Sequence, residues 1–199
     1  MSINIVLYSR RTMIVASFAK PCGLFDNFFN KIVTWFTQGE FCHSEFIFTW
    51  DTDMAESFFS TVEGHEVLKN RYHLYEENGV VNICFYVLWG DTTSYRMLKY
   101  NSNNPFYRMP NDSQFKCVPL SMEQELEFKM AKFLLDQCKK EYDYAGALTY
   151  YLPLRNSRQE YNTYFCSQLM VCALQHVQQY RDINPSSITP NHLYRLLTQ

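Results

Sequence analysis

Two residue types in this sequence could do nucleophilic chemistry together, cysteine and histidine. Cys166 stands in YFCSQLMVCAL (164–174), at the start of an apolar run with helical spacing. A thiol in the first turn of a helix meets unpaired backbone N–H groups and the positive end of the helix dipole, and both favour the thiolate. The same N–H groups can hold a developing oxyanion. A thiolate nucleophile needs a base or ion-pair partner, most often histidine. The competing reading of any cysteine is an inert place in the core, where the thiol behaves as a small hydrophobe. Residue type alone leaves both open.

The chain has five histidines. His43, in FCHSEFIFTW (41–50), is the best candidate, because a histidine without a partner among large apolar residues is costly. His65 follows Gly64 and reads as a loop residue. His176 lies ten residues beyond Cys166 on the same helix, too far along to reach the thiol. His73 and His192 have no supporting context. A catalytic histidine is oriented by a third group, and two carboxylates could serve. Glu45 shares the expected strand face of His43 two residues on. Glu56 lies in MAESFF, which reads as the next strand, and a hairpin could bring it across from His43. A same-strand partner has a side chain running parallel to the ring, whereas a cross-strand partner can face it at about 4.5–5.5 Å between Cβ atoms. Spacing leaves the choice open.

A zinc site would show tight ligand pairs such as CxxC or HxxxH, and none is present. Cys42 and His43, being adjacent, would point to opposite faces of a strand. No metal or cofactor is therefore expected. GxxxxGK[ST], GxGxxG and GxSxG are also absent.

These residues need elements to position them. The chain of 199 residues is 47% hydrophobic and 17% aromatic, enough to form one domain over 1–199 with a substantial core. INIVLYS (3–9) reads as a strand. LFDNFFNKIVTWFTQG (24–39) reads as an amphipathic helix, with Gly39 just past its end where a left-handed cap is common. Residues 41–50, MAESFF and VNICFYVLW (81–89) read as strands. YNSNNPFYRMPNDSQ (100–114) reads as a surface loop. Residues 120–146 give a long helix with Ser121 as N-cap, and 165–177 another. NPSSITPNHLYRLL caps a last short helix. Strands in the middle with helices on either side imply an α+β domain with a mainly antiparallel sheet.

Net charge is −2, so no basic footprint argues for nucleic acid. The longest apolar run, ICFYVLW (83–89), is too short to span a bilayer. The start lacks the basic end and long apolar stretch of a signal peptide. Seven cysteines, an odd number without CxxC pairs, fit free thiols in a reducing, cytoplasmic compartment.

Three segments in order resemble the permuted papain-fold, NlpC-type cysteine hydrolases. WFTQGEFCHSEFIF is similar to that family's helix end and histidine strand. MAESFFSTVEGHEV is similar to its acid segment, and YFCSQLM to its nucleophile helix start. EYDYAG resembles the segment before the nucleophile, and TPNHLYRLL the closing segment, where family members often carry Gly at the position of Asn191. The order histidine, acid, cysteine matches the YiiX/YebB-like branch and its large-DNA-virus relatives. The NCEHF-like motif of the lecithin retinol acyltransferase branch is absent. The resemblance implies a circularly permuted papain-like fold, a small antiparallel sheet packed against helices. It implies Cys166 as nucleophile, His43 as base and Glu56 as orienting acid. The implied activity is hydrolysis of an amide or ester in a peptide, isopeptide or lipid-like acyl substrate, in host cytoplasm if the source is viral. An acyltransferase with the same triad, or a binding module that kept the fold and lost the chemistry, are the alternatives. Oligomeric state is unspecified.

Free-thiol titration of the denatured protein, purified under nitrogen, is expected to count all seven cysteines. Several locked in disulfides would overturn the reducing-compartment reading.

Overall fold

The computed structural model describes residues 13–21, 28–76, 78–88, 90–98, 114–149 and 162–199. The expected strand at 3–9, the first residues of the 24–39 helix, Cys22, and nearly all of the 100–114 loop lie outside them. The fold is mixed α+β, built on a five-stranded antiparallel sheet in the order β4-β3-β2-β1-β5. Its strands are β1 (Met13–Ala19), β2 (His43–Asp51), β3 (Val80–Val87), β4 (Thr93–Leu98) and β5 (Phe115–Leu120). The helices are α1 (Phe28–Thr37), α2 (Thr52–Thr61), α3 (Glu66–Arg71), α4 (Gln124–Asp136), α5 (Tyr144–Thr149), α6 (Cys166–His176) and α7 (Pro190–Leu197). Two short strands, β6 (Glu141–Tyr142) and β7 (Thr163–Tyr164), pair in parallel.

β2 is the central strand, and its alternation divides the molecule. Phe46, Phe48 and Trp50 face the main core with Phe85 of β3, Phe58 of α2 and Leu169, Met170 and Ala173 of α6. This aromatic cluster is tightly interlocked; Phe48 meets Phe85 edge-on at 5.5 Å between centroids, and Trp50 lies 4.6 Å from Phe58. The Trp50 indole N–H donates to the buried Glu127 carboxylate of α4 at 3.3 Å. The other face of the sheet holds a smaller cluster, Val15, Ile47, Cys84 and Leu98. Along this face the register sets Ser17 against Glu45 and Cys117, and Cys84 against Ile47 and Arg96.

MAESFF is helical, not a strand. Asp51 caps α2 by accepting the Met54 backbone N–H at 2.9 Å. Met54, Ala55, Phe58 and Phe59 are the buried positions, a helical and not an alternating spacing. The long helix of 120–146 is shorter than expected. It starts at Gln124 with Glu123 as N-cap and stops at Asp136, followed by β6 and α5. The short segments 13–19, 93–98 and 115–120, which the sequence does not announce as strands, complete the sheet.

The end of α1 is built differently from the expectation as well. Gln38, not Gly39, takes the left-handed conformation (φ 48°). The Gln38 N–H donates to Trp35 O and the Gly39 N–H to Thr34 O, the two bonds of a Schellman cap. Gly39 is needed for space: a Cβ there would overlap the Asn191 side chain. Asn191, in the first turn of α7, accepts the Phe41 N–H (2.9 Å) and donates to Phe41 O and Thr37 Oγ1 (2.8 Å each). The chain is thereby clamped two residues before His43.

Gly39→Ala is expected to cost about 1–3 kcal/mol by overpacking. At roughly 2–4 °C per kcal/mol for a chain of this size, a thermal melt resolves that loss. In an Asn191→Ala background, which removes the obstructing side chain, Gly39→Ala should cost clearly less. A Gly39→Ala protein as stable as the parent would contradict the close approach.

Candidate active site

His43 is the first residue of β2 and is held from two sides. Its register partner is Ala19 of β1, and the adjacent Cys42 N–H donates to Ala19 O at 2.9 Å. On the other side stands the Asn191 clamp on Phe41. Cys166 is the first residue of α6. β7 immediately precedes it, tied to β6, and the Asp143 N–H donates to Tyr164 O at 2.8 Å. The Tyr164 hydroxyl donates to Gln137 at 2.9 Å. Behind the cysteine, the Ser167 hydroxyl donates to Ile188 O at 2.6 Å, and the Phe165 N–H donates to the Gln168 side chain at 3.2 Å. Every element meeting at the thiol is therefore fixed by buried hydrogen bonds. The helix start satisfies its N-cap N–H with its own Gln168, leaving the first-turn position to the cysteine.

The fold brings the buried side chains of Cys166 and His43 close enough for each to shift the other's ionisation. Burial alone would push the imidazole down, but its interactions with Cys166 and then Glu45 outweigh it and raise His43 to about 9. Burial alone would push the thiol up; the His43 hydrogen bond and charge, with hydrogen bonds from Ser44, bring Cys166 below its ordinary value. The two shifts describe one event, a proton moving from sulfur to imidazole. Burial pushes Cys117 up to about 11, and Cys138 and Cys172 to about 12. Cys166 goes the opposite way.

The buried carboxylate beside His43 is Glu45. Its Oε2 lies 3.4 Å from His43 Nε2, an ion-pair distance longer than a well-made hydrogen bond, as expected for parallel side chains on one strand. The same carboxylate accepts from Arg96 Nη2 at both oxygens, 2.9 and 2.8 Å. Burial would raise Glu45, but Arg96 and then His43 hold it below the usual carboxylate range.

Glu56 is not brought to this cluster. It is exposed on α2, a helix that begins beyond Asp51, the far end of β2. The eight steps from His43 to Asp51 span about 27 Å of extended chain. The expected cross-strand partnership fails because Asp51 nucleates a helix where a hairpin strand was expected. Of the other histidines, His65 precedes α3, and His176 ends α6, stacked on Phe133 at 4.7 Å. Three nearby residues escaped the sequence reading. Ser44 is signalled only by adjacency to His43. Tyr142, whose phenol burial and then the Cys166 charge push up, comes from β6. Arg96 carries no sequence signal, because only the β3–β4 register brings it here.

Among the described residues, no group of three or more His, Cys, Asp or Glu is gathered as a metal ion would need. No described helix is long and apolar enough to cross a membrane. Compared with protein-family models, with curated proteins and with solved structures, the chain matches none.

Chemically, the arrangement offers a polarised thiol at a helix start, a proton acceptor beside it and a counter-charge behind the acceptor. Cys166 should alkylate with iodoacetamide well below the ordinary thiol range near ~8.5, and faster than Cys84, Cys138 and Cys172. Site-resolved mass spectrometry across a pH series reads both. His43→Gln should move the Cys166 profile upward, because the thiolate loses its imidazolium. An ordinary Cys166 profile in the parent would remove the ion pair.

Proposed function

We propose that this protein is a thiol hydrolase of the permuted papain-like, NlpC-type kind, acting on an amide or ester carbonyl. The observation that carries the reading is the buried Cys166–His43 contact, with the thiol at a helix start and the histidine at the head of the central strand. The chain order of histidine before cysteine and the sheet-and-helix architecture support it, although the carboxylate beside His43 is Glu45 of the same strand and not the residue in the segment that resembles the family's acid.

In the proposed reaction Cys166 gives its proton to His43, and the sulfur attacks the carbonyl carbon. The carbonyl electron pair moves to oxygen, near the N–H groups of the α6 first turn. Collapse of this intermediate breaks the bond to the leaving amine or alcohol, which takes the proton from His43. Water then adds to the thioester, losing a proton to His43, and the acid departs as sulfur regains its electrons. With Nε2 facing Glu45, Nδ1 is the ring nitrogen that serves the sulfur. Glu45 fills the third role, stabilising the imidazolium formed in each half-reaction.

The pH dependence follows from the two shifts. Thiolate–imidazolium is lost as pH falls through the lowered Cys166 value. The imidazolium that must protonate the leaving group is lost as pH rises through about 9. Turnover should be bell-shaped, with its alkaline limb near that value.

A panel of fluorogenic peptidyl amides and acyl esters provides the test. Cys166→Ala should fold normally and be inactive. Glu45→Gln should reduce turnover by about 10²–10⁴-fold, the usual scale of general acid–base contributions. Glu56→Gln should behave like the parent. An active Cys166→Ala protein would refute the hydrolase reading, and a large loss confined to Glu56→Gln would return the third role to that residue.

A further inference from the structure

We propose that Arg96 is a positioning residue of this site: reaching from β4 across β3, its guanidinium holds the Glu45 carboxylate ionised and aimed at His43. The inference rests on the reading of Cys166 and His43 as the reacting pair.

Arg96 sits opposite Cys84 in the β3–β4 register, and Cys84 sits opposite Ile47 of β2. Its side chain crosses this row to Glu45. One nitrogen, Nη2, contacts both carboxylate oxygens. The guanidinium carbon also lies 4.9 Å from the centroid of the Tyr86 ring, a cation–π contact that fixes the plane. The Arg96 side chain is 17% exposed and that of Glu45 only 3%, so little water competes for the pair.

Charge balance gives Arg96 its role. In the reactive state the buried row runs Arg96⁺, Glu45⁻, His43⁺, Cys166⁻, alternating in sign and neutral in sum. With sulfur protonated and imidazole neutral, Arg96⁺ and Glu45⁻ still cancel. Remove the guanidinium, and each state carries an uncompensated buried negative charge. A buried carboxylate without its partner takes up a proton instead of staying charged. Protonated Glu45 no longer stabilises imidazolium, and the proton on sulfur stays there. The groups facing Glu45 from neighbouring elements do not replace Arg96. Cys84 of β3 is a thiol pushed up by burial and by Glu45 itself, and Cys117 of β5 is likewise raised. Ser17 of β1 is neutral, and His43 is the group to be charged. Arg96 is the cation in contact with Glu45 that does not take part in the proton transfer.

The test uses the Cys166 alkylation profile in folded full-length protein, checked by circular dichroism and thermal melting. Arg96→Gln should move the acid limb of the profile upward by about 1–3 pH units, the usual effect of one adjacent charge on a carboxylate. Arg96→Lys, too short to keep both the carboxylate and the Tyr86 contacts, should move it the same way but less. In a Glu45→Gln background Arg96→Gln should add nothing, because Arg96 acts through Glu45. A folded Arg96→Gln protein with the parent's limb overturns the inference, as does a shift that persists undiminished in Glu45→Gln. If Arg96→Gln does not fold, Arg96→Lys decides: a smaller upward shift supports the role, and the parent's limb refutes it. A parent protein whose Cys166 titrates as an ordinary thiol would instead refute the Cys166–His43 pair itself.

Discussion

A buried charge needs a buried counter-charge, and this requirement organises the centre of the molecule. His43 and Cys166 are both inside, where a lone imidazolium or thiolate would be neutralised by its surroundings. They remain a polarised pair because Glu45 stands behind the imidazole and Arg96 behind Glu45. The row spans three adjacent strands and one helix start. It needs β2 in the middle of the sheet, β3 and β4 in one register, and α6 with its first residue at the head of β2. A slip of one residue in β4 would send Arg96 to the opposite face of the sheet.

The thiol is set by a different set of bonds from those that set the histidine. Cys166 is fixed by the β6–β7 pair in front and by Ser167 and Gln168 behind, the latter tied to the segment before α7. His43 is fixed by β1 and by Asn191 of α7. The segment from Ser186 to Asn191 touches both halves, so it acts as a brace between Cys166 and His43. Asn191 departs from the glycine that the resembling family often carries there. Gly39 supplies the complementary space: the side chain missing from one partner is present on the other.

β2 and β3 were legible as aromatic and β-branched apolar runs, buried almost throughout, α6 as a long apolar run and α7 from the segment that caps it. Cys166 and His43 stood out as candidates by residue type and setting, but residue type left the inert reading open, and it was the family resemblance that paired them. The α2 segment was misread because MAESFF is short, apolar and aromatic, which suits a strand as well as a helix turn. What decides it is Asp51, a cap three residues before Met54. That misreading kept Glu56 in reach of the expected site beside Glu45, and the family resemblance then named Glu56. β1, β4 and β5 are short strands whose identity comes from pairing, and no local pattern specifies pairing. Arg96 could not be found for the same reason.

Cys84 and Cys166 show how completely the environment sets a thiol's character. Both are buried, and both lie within reach of the same charged row. Cys84 meets the row at Glu45, so burial and a negative neighbour act together, and the thiol is pushed well up. Cys166 meets it at His43, so a positive neighbour opposes burial and wins, with help from Ser44. The position along one alternating row of charges thus separates a thiol that is pushed up from one that is brought down. Residue type, exposure and apolar surroundings do not. It also explains why, of the buried Cys84 and Cys166, Cys166 alone has its thiol brought down. The helix start contributes its N–H groups, but the sign of the shift is decided by which member of the row the sulfur touches.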